Sequence, residues 1–190
     1  MKKFLTCICL AIFLAVSHQA TAARGRQPVP ASAAAYRKGF HFAMHNNYPA
    51  AEKQFRMAVR LDPKNLDALN AWGVVLMKLG RYKESSQKFA VATRMDPKLA
   101  KAWYNWGVTL SAAGDKRGAA EKFRRTVILR PRFSLAYEDW GMALIGLGRK
   151  REGIEKLRLA AKYDPKKAPQ INEVIRSLEE KNKPLSRRRR

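Results

Sequence analysis

Residues 100–107 read Ala-Lys-Ala-Trp-Tyr-Asn-Trp-Gly, and related sequence recurs 34 residues before and after them. Trp106-Gly107 aligns with Trp72-Gly73 and Trp140-Gly141, and more loosely with Lys38-Gly39. A second column holds large apolar residues: Phe55, Phe89, Phe123 and Leu157. A third holds prolines: Pro63, Pro97, Pro131 and Pro165. A fixed period of about 20–50 residues is the signature of a stacked repeat array. We therefore divide the chain into four repeats without insertions: 32–65, 66–99, 100–133 and 134–167.

Each repeat is predicted to form two helices joined by a tight turn. In the third repeat, Trp103, Trp106 and Leu110 follow the three-and-four spacing of one helical face. Gly114 then ends the first helix, in a column of residue types that tolerate left-handed backbone: Asn46, Gly80 and Gly148. A second helix runs to the proline, which stops it. Because two short helices cannot bury their apolar faces alone, the repeats must stack. The predicted fold class is all-α.

This pattern resembles the tetratricopeptide repeat family. The third repeat carries the likeness at these positions: Trp103, Trp106-Gly107, Leu110, Gly114, Ala119, Phe123 and Pro131. The resemblance implies a right-handed superhelical solenoid in which the first helix of each pair lines a concave groove. The fourth repeat departs at Gly153, which we expect to weaken its helix by about 1 kcal/mol relative to alanine. The first departs at Ala35 and Lys38, as expected of an end repeat.

Residues 1–22 are predicted to be a secretory signal peptide cleaved after Ala22. Lys2 and Lys3 precede an apolar core at residues 4–16, and Ala20 and Ala22 form a small-residue cleavage site. The alternative is an uncleaved membrane anchor, although 13 apolar residues are few for a bilayer about 30 Å thick. We expect a periplasmic or secreted protein.

No catalytic residue, cofactor or metal is expected. Both cysteines lie in the segment predicted to be removed, so the mature chain would have no thiol nucleophile or disulfide. His41 and His45 share a helical face, but Phe42 follows His41 and the glutamate of a zinc-protease helix is missing. The aspartates that precede loop prolines are predicted to form turns: Asp62, Asp96 and Asp164.

The ends of the array have distinct compositions. Residues 23–31 form a polar linker, and residues 168–181 are predicted to form a capping helix with a polar outer face. Residues 182–190 are predicted to be a disordered basic tail.

The formal net charge of the chain is +24, and loss of Lys2 and Lys3 with the signal peptide would leave +22. This excess implies anionic partners or surfaces, with nucleic acid unlikely for an exported chain.

The resemblance implies a peptide-binding groove whose candidate residues are Tyr36, Phe40, Asn70, Val74, Lys101, Tyr104, Val108 and Met142. The open alternative is that Tyr36 and Phe40 are packing residues. Some relatives clamp a C-terminal carboxylate, and Lys101 and Asn105 partly fit that pattern. However, Tyr36 and Phe40 occupy the positions where the clamp would start, which argues against it.

The predicted function is an exported, non-enzymatic scaffold that binds an envelope or secreted protein through its groove. The alternative is binding of an anionic polymer or membrane headgroups by the convex face, with these contacts: Arg124, Arg158, Arg187, Arg188, Arg189 and Arg190. An enzyme subunit whose catalytic part lies on another chain is a third class.

Overall fold

The computed structural model describes residues 30–180. The predicted signal peptide, most of the predicted linker and the basic tail lie outside these residues. The described part consists of nine α-helices and no strand. Their bounds are α1 Pro30–Met44, α2 Tyr48–Leu61, α3 Leu66–Lys78, α4 Tyr82–Met95, α5 Ala100–Ala112, α6 Lys116–Leu129, α7 Ser134–Gly146, α8 Lys150–Tyr163 and α9 Ala168–Glu180. Helix α1 begins at Pro30, so the last two residues of the predicted linker are helical.

The helices form four hairpins whose turns are set by the backbone of one residue each. Positive φ angles of 56°, 74°, 87° and 79° occur at Asn46, Gly80, Gly114 and Gly148. This confirms the predicted left-handed column. Asn47 and Asp115 then begin second helices by accepting hydrogen bonds from Ala50 N and Gly118 N.

The loops between repeats are closed by the predicted turn-forming aspartates. The Asp62 Oδ1 atom accepts a hydrogen bond from Lys64 N at 3.0 Å, and Asp96 Oδ1 accepts one from Lys98 N at 2.9 Å. The third loop differs because Arg130 occupies the aspartate column, and its guanidinium lies 5.0 Å from the Phe133 ring centre.

One contact recurs inside the first three hairpins, where a glycine of the first helix faces a phenylalanine of the second. A Cβ atom added at Gly73 or Gly107 would lie within 2.7 Å of the Phe89 or Phe123 ring. Phe123 is 1% exposed, so this column of large apolar residues packs between the helices. These glycines therefore allow each helix to approach a buried ring.

The fourth hairpin packs differently, and Gly153 has a packing role there in addition to the expected weakening of its helix. A Cβ atom on Gly153 would lie 2.5 Å from Ile145 Cγ1 and 2.7 Å from the carbonyl oxygen of Gly141. In this hairpin the residue of α8 that faces Gly141 of α7 is Leu157, where the first three hairpins have phenylalanine. The glycine therefore permits a closer approach of α7 and α8, which offsets its low helix propensity.

A tryptophan column lies at the junctions between repeats. A lysine of the same hairpin lies over each ring, with Lys88, Lys122 and Lys156 at 4.0, 4.4 and 4.6 Å from the centres of Trp72, Trp106 and Trp140. Trp106 is partly buried against the core of the preceding repeat. Lys38 occupies this column in the first repeat, and its side chain is exposed.

Helix α9 covers the last hairpin. Ile171 and Ile175 pack with Ile154 and Leu157 of α8, so the final apolar face is buried. Within residues 30–180, the helices are all too short or too polar to cross a membrane.

Candidate functional site

The inner face of the stack can be identified from the contacts between repeats. Within residues 30–180, the first helices of adjacent repeats contact each other, at α1–α3, α3–α5 and α5–α7. The second helices of adjacent repeats make no such contacts in the same range. The stack therefore curves with its first helices on the inside. We call the inner face of α1, α3, α5 and α7 the groove.

Polar side chains in the middle of the groove bind one another across repeats. Lys101 of α5 forms an ion pair with Asp67 of α3. The Asn105 side-chain amide donates to the Asn70 amide oxygen at 3.1 Å. Both Lys101 and Asn105 are therefore engaged, which agrees with the sequence argument against a carboxylate clamp.

A half-buried pair joins α5 to α7. The Tyr104 hydroxyl donates to Asp139 Oδ2 at 2.8 Å. Burial raises the pKa of Tyr104, and the neighbouring Asp139 carboxylate raises it further, so the phenol stays protonated. Burial also raises the pKa of Asp139, against the opposing effect of the Tyr104 hydrogen bond. The pair fixes the relative position of the third and fourth repeats.

The two predicted groove tyrosines are also packing residues. The Tyr104 ring lies 5.9 Å from the Phe123 ring centre and 4.9 Å from that of Phe133. The Tyr36 ring lies 5.7 Å from that of Phe55. Val74 and Val108 are likewise partly buried against the cores between helices. These residues shape the floor of the groove more than they offer free contact area.

Two patches of exposed apolar side chains lie at the ends of the groove. Phe40 and Met44 of α1 are 54% and 69% exposed. At the other end, Met142 of α7 is 50% exposed, and Leu135 and Val174 are also exposed. Of the predicted groove residues, Phe40 and Met142 are thus the most accessible apolar ones.

The last repeat and the capping helix enclose a small cavity at the second patch. It has a volume of about 130 Å³, and Glu138, Met142, Lys167 and Val174 contribute to its walls. The Lys167 Nζ atom lies 3.8 Å from Glu138 Oε2. The polar rim of this patch is therefore partly neutralised.

Sequence reasoning missed Asp139, Lys167 and Val174 as neighbours of the groove. Asp139 aligns with Asn105 in the 34-residue register, so including that column among the groove positions would have found it. Lys167 and Val174 belong to the loop before α9 and to α9 itself. They lie beside Met142 because the predicted capping helix docks there, and the sequence did not indicate which of its residues this docking would bring to the groove.

The predicted anion-contacting residues occupy different environments. Arg124 is exposed on α6 and lines a cleft between the third and fourth repeats. Arg158 is exposed on α8 but donates to Glu179 of α9 at 2.9 Å. The arginines of the tail lie outside the described residues.

The described residues show no arrangement suited to metal chemistry. His41 and His45 are exposed, with ring centres 4.6 Å apart and ring planes tilted by 39°, and His45 Nδ1 lies 2.9 Å from the His41 carbonyl oxygen. No group of three or more potential metal ligands occurs within residues 30–180.

Helical hairpins in register, a curved stack and an inner groove define a helical-repeat solenoid. The tetratricopeptide repeat profile matches residues 17–66, 36–100 and 70–132, which is more than half of the chain. The chain belongs to the tetratricopeptide repeat family. The structure extends the hairpin pattern beyond these matches, through α7 and α8. No curated protein sequence matches the chain.

Solved structures of similar fold cover most of the array. The crystal structure of MamA matches with a TM-score of 0.68 and 21% identity, over 73% of this chain and 81% of MamA. PilF of Pseudomonas aeruginosa matches with a TM-score of 0.71 and 20% identity, over 80% and 68% of the two chains. The first TPR of Spaghetti (RPAP3), bound to the HSP90 peptide SRMEEVD, matches with a TM-score of 0.61 and 16% identity, over 62% and 94%. These likenesses concern the fold.

Proposed function

We propose that this protein is a non-enzymatic scaffold that binds a segment of a partner protein in the groove. The observation that carries the proposal is the pair of exposed apolar patches, Phe40 with Met44 and Met142 with Leu135, on the first helices of the first and last repeats. Exposed apolar patches with polar surroundings are typical of protein interaction sites. Family membership supports the same function, since the RPAP3 domain of similar fold is bound to a peptide.

The groove favours recognition by apolar side chains at its two ends. In the middle, Lys101 and Asn105 already bind Asp67 and Asn70. A ligand carboxylate would have to displace these partners, which costs hydrogen bonds that the free protein already has. We therefore propose an extended or helical partner segment with apolar anchors near both ends.

We further propose that the protein is exported, and that its partner is an envelope or secreted protein. The proposal rests on the sequence of residues 1–22, with its basic start, apolar core and small-residue cleavage site.

The groove can be tested with a pair of matched double variants. Phe40→Ala with Met142→Ala removes one exposed apolar anchor from each end. Met57→Ala with Ile128→Ala removes similarly exposed side chains, 42% and 54% exposed, from the second helices. Because apolar anchors dominate interfaces, the groove variant should lose partners captured from envelope extract, and the control should retain them.

Salt adds a second criterion to the same capture experiment. Capture through apolar contacts should persist in about 0.5 M salt, where exposed charges are screened within a few ångströms. Equal losses in the two double variants would contradict the groove as the binding site. The groove would also be contradicted if capture disappeared in about 0.5 M salt and was unaffected by Phe40→Ala with Met142→Ala.

A second candidate function is binding of anionic polymer or membrane headgroups by the outer face and the arginine tail. It is favoured by the charge distribution: helices α2, α4, α6 and α8 carry net charges of +2, +2, +4 and +3. Helices α1, α3, α5 and α7 carry +2, 0, +1 and −2. Such binding should fail in high salt and after Arg124→Glu.

A further inference from the structure

The junction between the third and fourth repeats contains a cleft that is separate from the groove. It has a volume of about 470 Å³ and lies between α6 and the α7–α8 hairpin. Trp140 and Leu144 contribute an apolar wall, and Arg117, Arg124, Arg149 and Lys156 contribute cationic groups. An apolar wall combined with convergent charged groups is the usual composition of a small-molecule site.

The equivalent surface one repeat earlier provides an internal comparison. A shift of 34 residues replaces Trp140 by Trp106 and Arg124 by Ala90, and the resulting cleft of about 500 Å³ is almost wholly apolar. Among the described residues, Lys83 is the one charged side chain that lines it. The cationic character therefore belongs to the junction of repeats three and four, and not to the repeat architecture.

The junction between repeats one and two shows how such a cleft can be neutralised. There, Arg81 Nη1 binds Glu52 Oε2 of the preceding repeat at 2.7 Å. Two repeats later, Arg149 occupies the position that corresponds to Arg81. The position that corresponds to Glu52 is occupied there by Ala120. Arg149 therefore has no acidic partner across this junction in the described chain. It binds Glu152 of its own helix, with an Nη2–Oε2 distance of 2.6 Å.

The charges around the cleft are not balanced within the described residues. Arg117, Arg124 and Lys156 have no carboxylate within 4.0 Å among residues 30–180, and Lys156 lies over the Trp140 ring. Glu121 and Glu152 are the acids of the lining, and Glu152 is already paired. Arg117 and Arg124 are seven residues apart, which places them about 10 Å apart along one helical face. An anion bound between the cations would relieve their mutual repulsion.

We propose that this cleft binds a small phosphate monoester about the size of a sugar phosphate. The phosphate would contact the Arg124 guanidinium, which can donate two parallel hydrogen bonds to phosphate oxygens. It would also contact Nη1 of Arg149, since Glu152 engages only the Nε and Nη2 atoms of that side chain. The neutral part of the ligand would lie against Leu147 and the part of the Trp140 ring that Lys156 leaves uncovered, because the cleft is larger than a phosphate group requires. A dianion is favoured over a carboxylate because the cations outnumber the acids.

Isothermal titration calorimetry of the purified chain tests this site. Glucose 6-phosphate should bind with a dissociation constant of about 1 mM or tighter, whereas glucose and glucuronate should not. Arg124→Ala copies the natural Ala90, and Ala120→Glu copies the natural Glu52 and should pair with Arg149. Each variant should weaken binding by about tenfold or more.

Arg158→Ala is the matched control, since Arg158 aligns with Arg124 one repeat later and pairs with Glu179 outside the cleft. It should leave glucose 6-phosphate binding unchanged. If Ala120→Glu fails to fold, as judged by its helical signal, Arg117→Ala takes its place beside Arg124→Ala. These measurements are independent of groove binding, which the Phe40 and Met142 variants report.

Three results would overturn the proposal. The first is the absence of glucose 6-phosphate binding. The second is a loss of glucose 6-phosphate affinity in Arg158→Ala that equals the loss in Arg124→Ala. The third is binding of glucuronate as tight as that of glucose 6-phosphate, which would refute the preference for phosphate. Phosphatidylglycerol vesicles distinguish a lipid source, because Arg124-dependent vesicle binding without sugar-phosphate binding would assign the cleft to a headgroup.

Discussion

The close contact between α7 and α8 predicts that Gly153→Ala destabilises the fold. The added Cβ would lie 2.7 Å from the Gly141 carbonyl oxygen, which is backbone and cannot rotate away. The two helices must therefore separate by several tenths of an ångström. Such overpacking costs about 1–3 kcal/mol. Replacing a helical glycine with alanine gains about 1 kcal/mol of propensity, so the expected net loss is about 1 kcal/mol.

Gly146→Ala is the matched control for this prediction. Its added Cβ would meet the Lys116 side chain at 2.7 Å, and that flexible, exposed side chain can move. We expect Gly146→Ala to be neutral or slightly stabilising. Urea denaturation, followed by helical circular dichroism, measures the free energy of unfolding of both variants. In thermal denaturation, a loss of 1 kcal/mol should lower the midpoint by about 2–4 °C for a chain of this size.

A double variant tests the origin of the effect. Gly153→Ala with Leu157→Phe restores the alanine and phenylalanine that Ala119 and Phe123 provide in the third repeat. Because the two new side chains require the same wider helix spacing, their combined cost should be smaller than the sum of the single costs, by about 0.5 kcal/mol or more. Stabilisation by Gly153→Ala as large as that by Gly146→Ala would refute the reasoning.

Four further predictions concern the core, the half-buried Tyr104–Asp139 pair and export. Phe123→Ala should cost roughly 3–5 kcal/mol in urea denaturation, because the ring is 1% exposed; an unchanged midpoint would contradict the repeat register. Tyr104→Phe should cost about 1–3 kcal/mol at pH 7, since it removes the hydrogen-bond donor to the half-buried Asp139 carboxylate. Because burial raises the pKa of Asp139, its destabilising effect is present above its folded pKa and is relieved as the pH falls through that pKa toward the unfolded value near 4. Asp139→Asn should therefore flatten this part of the stability–pH profile, and an unchanged slope would refute the assignment. Intact-mass measurement of the exported protein should show cleavage after Ala22, whereas retention of residues 4–16 would favour an anchor.

The repeat period and the hairpins were predictable because the signals that produce them are local. Gly114 ends a helix by its own backbone freedom, and Asp62 closes a loop with an amide two residues away. The position of Phe123 in the core also followed from its column, since each repeat packs in the same way. The packing role of Gly153 was missed because helix propensity is a property of one helix, whereas this role depends on Gly141 in another.

The sequence by itself determined the family and the order of the helices, and through the family resemblance it predicted which residues line the groove. The tertiary structure alone decided which of those residues are free. Lys101 and Tyr104 bind Asp67 and Asp139, one repeat away, while Phe40 and Met142 stay exposed. The physical reason is that helix formation depends on residues a few positions apart. The pairing of side chains 34 or 35 residues apart depends on how closely and at what angle neighbouring repeats stack.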